Sequence, residues 1–250
     1  MTKAFEELAY SRTPMGELTL RRRKLPAQDA DIFEIKLGDE FLMSSLFTVS
    51  ETALADLALK DLFPTQIDVV VGGLGLGYTA RSVLGNPRVR SLFVVETFQE
   101  IIEWHRKDVV PLGRELTSDQ RCHLYHGDFF AIFGSPYHER DPDIGGRKFH
   151  AVLVDIDHSP RQLLSDRHGA FYEAPGLRAL TTHLHPGGVF ALWSNDPPDD
   201  DFLKVLRDVF DECEAKVVTF DNPLQNRKAA STVYVARAGH ELPQTHRQPS

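Results

Sequence analysis

The chain has 250 residues, of which 42% are hydrophobic and 26% are charged, and its formal net charge at pH 7 is −8. This length suits one full α/β domain with a small additional unit, and the composition is that of an ordinary globular protein. The negative charge argues against nucleic acid as the main partner, because phosphate binding depends on a basic surface. The basic run from Arg21 to Lys24 is interpreted as a solvated strand face.

Cysteine usage and hydropathy indicate the cellular compartment of the protein. The chain has two cysteines and no signal-peptide pattern at its start. No apolar stretch approaches the roughly 20 residues that a membrane span needs. We therefore expect a cytoplasmic protein with reduced thiols that does not act at a membrane.

The first fifty residues predict a small β-sheet. Their strand patterns lie at 18–20, 32–37 and 41–43. From Glu51 onward, apolar residues recur at helical spacing until Pro64 ends the helix. This helix leads directly into the next strand pattern.

Strands and helices alternate along the rest of the chain, which predicts a mostly parallel sheet covered by helices on both faces. The predicted strands lie at 67–71, 92–95, 123–125, 151–154, 189–193, 216–220 and 232–236. Four helices are predicted between these strands. The first begins at Tyr78, the second spans 98–109, the third follows Pro175, and the fourth spans about 201–213. A polar loop joins the last two strands, which favours an antiparallel pair. We predict a β-sheet region at 1–50, a Rossmann-like cofactor-binding domain at 51–237 and a mobile tail at 238–250.

Three glycines, Gly73, Gly75 and Gly77, follow the first strand of the predicted parallel sheet. Glycine lacks Cβ and adopts positive φ, so the backbone can lie directly against a ligand. Glu96 closes the next strand, about 20 residues on, where an acid can accept hydrogen bonds from both hydroxyls of a ribose. The spacing departs from the Gly-x-Gly-x-x-Gly pattern of pyrophosphate binding, which disfavours a dinucleotide. The pattern predicts an adenosine ligand without phosphate, such as the sulfonium S-adenosylmethionine.

Acidic residues recur after successive strands, at the edge where open α/β sheets bind ligands. Asp128 is a candidate for the exocyclic amine of adenine, with Phe129 or Phe130 against the ring. The alternative is that Asp128 caps a short helix beginning at Phe129. Asp155 is expected beside the reactive carbon of the sulfonium, where it would accept a proton from an attacking amine or align that amine.

Two more candidates for catalysis follow Asp155 directly. Asp157 adds a second acid, and His158 is a candidate base near neutral pH, although a structural hydrogen bond is an equal alternative for a loop histidine. His183 and His185 have a spacing that suits a metal. No third ligand stands near them in the sequence, so no metal site is predicted.

Together these motifs resemble those of the spermidine synthase (polyamine aminopropyltransferase) family, within the class I S-adenosylmethionine-dependent methyltransferase superfamily. The stretches that carry the resemblance are 73–84 (family GGGDGGxxREVL), 127–129 (GDG followed by Phe or Ala), 154–155 (the start of VDSSDP), and 171–172 with 185–188 (FY…LKPGG). The resemblance implies an α/β Rossmann-like class I methyltransferase fold, a mostly parallel seven-stranded sheet with an antiparallel last pair and a small N-terminal β-sheet. It also implies that Glu96 binds ribose, Asp128 binds adenine and Asp155 is the catalytic acid–base.

The implied activity is aminopropyl transfer from decarboxylated S-adenosylmethionine to a small-molecule amine in polyamine biosynthesis, with methylthioadenosine as product and a homodimer as the family's frequent assembly. Leu76 stands where the family has an acid in its glycine loop, and the segment 155–160 is one residue longer than the family's. Methyl transfer from S-adenosylmethionine, with S-adenosylhomocysteine as product, therefore stays open. A third alternative is a non-catalytic protein that binds an adenosine sulfonium.

Overall fold

The computed structural model of the chain describes residues 5–25, 30–135, 144, 146–222, 225 and 227–239. Within these ranges the chain forms a four-stranded antiparallel sheet followed by a seven-stranded sheet. The small sheet consists of β1 (Phe5–Thr13), β2 (Gly16–Leu25), β3 (Ala30–Leu37) and β4 (Glu40–Ser44), in that order. The predicted mobile tail lies outside the described residues from 240 onward.

The seven-stranded sheet has the order β10-β11-β9-β8-β5-β6-β7. Its strands are β5 (Ile67–Gly72), β6 (Val89–Glu96), β7 (Cys122–His126), β8 (Phe149–Val154), β9 (Leu184–Ser194), β10 (Glu212–Asn222) and β11 (Arg227–Arg237). The helices are α1 (Val49–Leu59), α2 (Tyr78–Leu84), α3 (Gln99–Arg106), α4 (Gly113–Ser118), α5 (Phe129–Phe133), α6 (Ala174–Thr181) and α7 (Asp200–Arg207). A 3-10 helix spans Asp166–Tyr172.

Alternate residues of the central strands feed two cores, one on each face of the large sheet. Val69 and Val71 of β5 belong to the core that α1 to α4 cover, whereas Val70 belongs to the core of α5 to α7. A strand buried on both faces is apolar throughout, as the run of valines in β5 is. The strands from β5 to β9 pair in parallel, and β11 pairs antiparallel with both β9 and β10. The predicted fold class is confirmed.

The last predicted helix is shorter than the sequence indicates. It ends at Arg207, and Cys213 belongs to β10. Phe210 packs on Phe190 with ring centroids 5.7 Å apart, which holds the chain against the sheet, and from Glu212 onward β10 pairs residue by residue with β11. Strand pairing over eleven residues outweighs the local preference for another helical turn.

The basic run in β2 is engaged by acids on neighbouring strands. Arg21 and Arg23 each place Nε 2.7 Å from a carboxylate oxygen of Glu34, which is 2% exposed. Arg22 pairs with Glu6 at 2.6 Å. The run is therefore a half-buried part of the small sheet rather than the solvated face that the sequence predicts.

The site lies where the small sheet and α1 cover the carboxyl ends of the parallel strands. These two parts of the chain and the β10–β11 hairpin line one cavity of about 1330 Å³. A ligand-sized space at the carboxyl ends of the strands is the expected place for a site in an open α/β sheet. Among the described residues, none of the helices combines the length and apolar character that crossing a membrane requires.

Candidate active site

The glycine turn after β5 is built so that only glycine fits. Gly73 and Gly75 have φ values of 95° and 48°. A Cβ on Gly73 would lie 2.2 Å from the carbonyl oxygen of Asp155, and one on Gly75 would lie 2.8 Å from Met43 Sδ. Both glycines line the cavity, whereas Gly77 is the residue before α2 and packs on Leu116. Gly77 therefore shapes the turn without being part of the cavity wall.

Glu96 ends β6 beside this turn and is only 6% exposed. Its Oε2 accepts a hydrogen bond from Leu74 N at 3.0 Å, and its Oε1 accepts one from Phe98 N at 2.9 Å. Burial raises the pKa of the carboxyl group, while these backbone donors oppose that effect. The backbone N–H groups of Gly75 and Thr97 also act on the carboxylate, so Glu96 holds the glycine turn in place at the cavity wall.

Asp128 lines the cavity and also caps α5. Its Oδ1 accepts hydrogen bonds from the backbone N–H groups of Phe130 (3.0 Å) and Ala131 (3.1 Å), so the capping alternative is observed. The neighbouring ring in the wall is Phe130. Phe129 is 1% exposed and fills the space left by the missing Cβ of Gly72, so its expected place against a ligand is wrong.

Asp155 follows β8 at the centre of the cavity edge. Its backbone N–H donates to the Gly72 carbonyl at 2.9 Å, and its Oδ2 accepts from the Thr79 hydroxyl at 2.6 Å. Desolvation raises the pKa of Asp155 to about 6. The carboxyl group therefore has a higher proton affinity than an exposed aspartate, which suits a general base.

Glu51, in the first turn of α1, is the functional candidate that the sequence did not single out. It lines the cavity, and burial and then the charge of Asp155 raise its pKa to about 8. In the sequence, an acid at a helix start is fully explained by the helix dipole. The one available signal is that Glu51 is the first acid after Glu40 in an otherwise uncharged stretch.

Asp157 faces the protein interior and not the cavity. It is fully buried and accepts hydrogen bonds from Leu164 N (2.7 Å), His168 Nδ1 (2.8 Å) and the Tyr172 hydroxyl (2.9 Å). Burial raises the pKa of Tyr172 well above its ordinary value, so the phenol stays protonated and donates. Asp157 therefore anchors the segment 157–172, and its placement among the catalytic candidates is wrong.

His158 does line the cavity, and its imidazole is already engaged. Its Nε2 lies 2.8 Å from Glu40 Oε1 at the start of β4, which joins the large sheet to the small one. The structural alternative for this histidine is therefore observed, although its position in the wall keeps it within reach of a ligand.

His183 and His185 each have a partner in the described structure. His183 Nε2 hydrogen-bonds the Ser135 carbonyl oxygen at 3.1 Å, and His185 lies against His150 with ring centroids 4.3 Å apart. Over the described ranges, no group of three or more histidine, cysteine or acidic side chains is arranged to hold a metal ion.

Asp155 separates two walls of the cavity. The glycine wall consists of Gly73, Leu74, Gly75, Glu96, Asp128 and Phe130, and the hairpin wall consists of Trp193, Asn195, Phe220, Asn222, Ala229 and Ser231. The roof, contributed by β4 and α1 with the residues between them, includes Phe41, Met43, Phe47 and Glu51. Two carboxyl groups, Asp155 and Glu51, line this cavity and are close enough for the charge of Asp155 to act on Glu51.

Comparison with known proteins finds similarity in sequence and in structure. No protein-family model matches the chain. A curated protein, polyamine aminopropyltransferase 2 of Pseudomonas aeruginosa (strain PAO1), is 32% identical over 155 residues, which is 58% of this chain. The match takes in 40% of that relative's own length, so the chain spans less than half of it.

Solved spermidine synthases have the same fold. The enzyme from Thermotoga maritima matches 93% of this chain and 72% of its own with a TM-score of 0.67 at 16% identity. A spermidine synthase in complex with the transition-state analogue AdoDATO matches 93% of this chain and 74% of its own with a TM-score of 0.70 at 16% identity. A probable spermidine synthase from Corynebacterium glutamicum ATCC 13032 matches 92% and 79% with a TM-score of 0.61 at 15% identity. The chain therefore shares its fold with these spermidine synthases, and part of its sequence is similar to that of the curated aminopropyltransferase.

Proposed function

We propose that this chain transfers an aminopropyl group from decarboxylated S-adenosylmethionine to an amine. The amine nitrogen forms a bond to the methylene carbon next to the sulfonium sulfur as the carbon–sulfur bond breaks. The electron pair of the broken bond stays with sulfur, and methylthioadenosine leaves. The proton that the amine loses passes to the carboxylate of Asp155. Because the sulfonium is an activated leaving group, the protein mainly aligns the partners and excludes water.

The observation that carries this proposal is the pair of acids at the centre of the cavity. Burial raises the pKa of both Asp155 and Glu51, so neither carboxylate is fully stabilised without a cation beside it. A desolvated pair of this kind favours a cationic ligand, because an ammonium ion stabilises both carboxylates and lowers both pKa values. Binding of the amine as an ammonium therefore releases protons, and Asp155 then takes the proton that frees the lone pair.

The glycine wall supports the adenosine half of the proposed substrate. The turn at Gly73 and Gly75 brings backbone to the cavity surface, and Glu96 lies directly beside it. We assign the ribose hydroxyls to Glu96, the exocyclic amine of adenine to Asp128 and the face of the ring to Phe130. Asp128 caps α5 through Oδ1 alone, which leaves Oδ2 for the adenine amine.

Methyl transfer is a second candidate, and Leu76 is the observation that favours it. Leu76 is fully buried in the core and does not line the cavity, so no acid from the glycine turn reaches the ligand. The aminopropyl ammonium of the decarboxylated substrate then lacks a partner in the glycine turn. S-adenosylmethionine, whose carboxylate neutralises its own ammonium, needs that partner less.

One experiment separates the two reactions. The purified chain is incubated with an amine mixture and either decarboxylated S-adenosylmethionine or S-adenosylmethionine, and methylthioadenosine and S-adenosylhomocysteine are measured by mass spectrometry. We expect amine-dependent methylthioadenosine at a rate at least a hundredfold above that of S-adenosylhomocysteine. Formation of S-adenosylhomocysteine alone would establish methyl transfer, and tight binding of both sulfoniums with no product would indicate a non-catalytic binder.

Two expectations about the whole protein remain predictions. A homodimer is tested by light scattering of the purified chain. A cytoplasmic location is tested by fractionation of the source cells.

A further inference from the structure

The strand order of the large sheet places two different surfaces on either side of Asp155. Asp155 follows β8, whose neighbours are β5 on one side and β9 on the other. Val154 of β8 pairs with Leu192, so Trp193 is the next residue of β9 at the level of Asp155. Trp193 in turn pairs with Val233 of β11. If the sulfonium lies on the glycine wall, the hairpin wall is left for the acceptor.

The acceptor side of the cavity is mainly aromatic and apolar. Phe220 of the hairpin wall and Phe47 of the roof lie against each other with ring centroids 5.8 Å apart. Phe41 and Met43 continue the roof, and Trp193 completes the wall next to Asp155. Rings and thioethers of this kind favour a flat apolar group over a hydrated one.

The polar groups of the hairpin wall carry no charge. They are the side chains of Asn195, Asn222 and Ser231, and the indole N–H of Trp193 is buried without a hydrogen-bond partner among the described residues. The wall therefore offers no carboxylate to a second ammonium group of a ligand.

Carboxylates are confined to the inner end of this space. Among the described residues of the roof and the hairpin wall, the only acid is Glu51, which lies near Asp155. Glu40 is outside the cavity wall and is bound to His158. A diamine needs a carboxylate at each end, since a desolvated ammonium without a partner is costly, and only its reacting end finds one here.

We propose that the acceptor is a primary monoamine with an uncharged aromatic body, an arylalkylamine, and that Phe220 and Trp193 select this body. The proposal rests on the proposed aminopropyl transfer. The amine meets Asp155 and Glu51, while the ring lies on the hairpin wall under Phe47.

The test compares three acceptors with decarboxylated S-adenosylmethionine as the donor and methylthioadenosine release as the measurement. The acceptors are 2-phenylethylamine, 1,4-diaminobutane and n-pentylamine, which replaces the second ammonium of the diamine with a methyl group. We expect kcat/KM for 2-phenylethylamine to exceed that for the diamine at least tenfold, with n-pentylamine between them. A smaller preference, or one for the diamine, overturns the acceptor proposal and leaves aminopropyl transfer standing, whereas no release with any amine overturns aminopropyl transfer itself.

A variant pair tests the role of the wall. Phe220→Ala is expected to lower kcat/KM for 2-phenylethylamine at least fivefold and that for n-pentylamine by a clearly smaller factor. Val217→Ala is the matched control, because Val217 lies on the same strand, is 55% exposed and does not line the cavity. Equal losses for both amines in Phe220→Ala, or equal losses in both variants, contradict the assignment.

Discussion

Burial raises the proton affinity of the acidic residues at the cavity. Glu96, Asp155 and Glu51 are all carboxyl groups at the cavity, and desolvation raises the pKa of each. They differ in their partners: Glu96 accepts backbone hydrogen bonds, Asp155 accepts one from Thr79, and Glu51 has the like charge of Asp155 nearby. The same side-chain chemistry therefore supports a binding role in one place and proton transfer in another.

Glu96→Gln should weaken the binding of methylthioadenosine by about 2 to 3 kcal/mol, because the amide is a poorer acceptor for two ribose hydroxyls and turns an N–H toward a backbone donor. Isothermal titration calorimetry measures this change, and a thermal melt verifies that the variant is folded. Glu115→Gln is the control, since Glu115 is exposed in the first turn of α4. Unchanged affinity in a folded Glu96→Gln would remove the ribose assignment.

Asp155→Asn should lower turnover by roughly 10² to 10⁴ while the affinity for methylthioadenosine changes little, because the amide keeps the shape but cannot accept a proton. Single-turnover rates and calorimetry separate the two effects. His158→Gln is the companion variant and should retain most turnover, given that the imidazole is engaged by Glu40. Loss of turnover in His158→Gln with none in Asp155→Asn would make the histidine the base.

At the scale of elements, the segment after β8 is held by one buried carboxylate. Asp157 fixes the segment from Leu164 to Tyr172 through three hydrogen bonds, and His168 of that segment stacks on Phe130 at 3.9 Å. Leu164, His168 and Phe130 all line the cavity, so this network holds a loop of the cavity wall in place.

Asp157→Asn should destabilise the protein by about 2 to 4 kcal/mol, because an amide cannot accept from three donors and leaves buried groups unpaired. Hydrogen exchange should show faster exchange of the amides from 157 to 172, and urea unfolding should show the loss of stability. Asp166→Asn serves as control, as Asp166 is an exposed acid in the same segment. Exchange in Asp157→Asn as slow as in the parent protein would contradict the anchoring role.

At the scale of the whole molecule, the raised pKa values couple stability to pH. Glu51 has a pKa raised from 4.5 to about 8, so the folded state binds a proton that the unfolded state has already lost between these values. The free energy of unfolding contributed by Glu51 therefore falls as pH rises through this range. Surface acids with lowered pKa values, such as Asp119 and Asp199, act in the opposite direction.

Glu51→Gln should remove the fall in the free energy of unfolding that Glu51 causes as pH rises. The difference in unfolding free energy between the variant and the parent, measured by urea denaturation, should rise in favour of the variant by on the order of 2 kcal/mol from pH 5 to pH 8. The surface acids cancel in this difference because both proteins contain them. A difference that stays constant with pH would show that Glu51 is not desolvated as the structure indicates.

Local patterns in the sequence predict the framework of this protein. The alternation of apolar runs and helical repeats predicts the large sheet, and each predicted strand range lies within a longer observed strand. The glycine turn and the place of Glu96 at a strand end are also local features, since positive φ and strand periodicity depend on few neighbours. Helix ends were less well predicted, because β10 formed through pairing with the distant β11.

The site itself was decided by the tertiary structure. Glu51 acquires its raised pKa only when α1 comes to lie near Asp155, and His158 meets Glu40, 118 residues away, only when the two sheets meet. Asp157 and Phe129 stand next to residues of the cavity wall in the sequence, yet both side chains enter the core. Periodicity determines the two faces of a strand. Beyond a strand end, the direction of a side chain depends on where distant residues provide hydrogen-bond partners or packing space for it. For that reason the sequence determined the fold and the edge of the sheet that carries the site, and the folded chain alone determined which acids face the cavity.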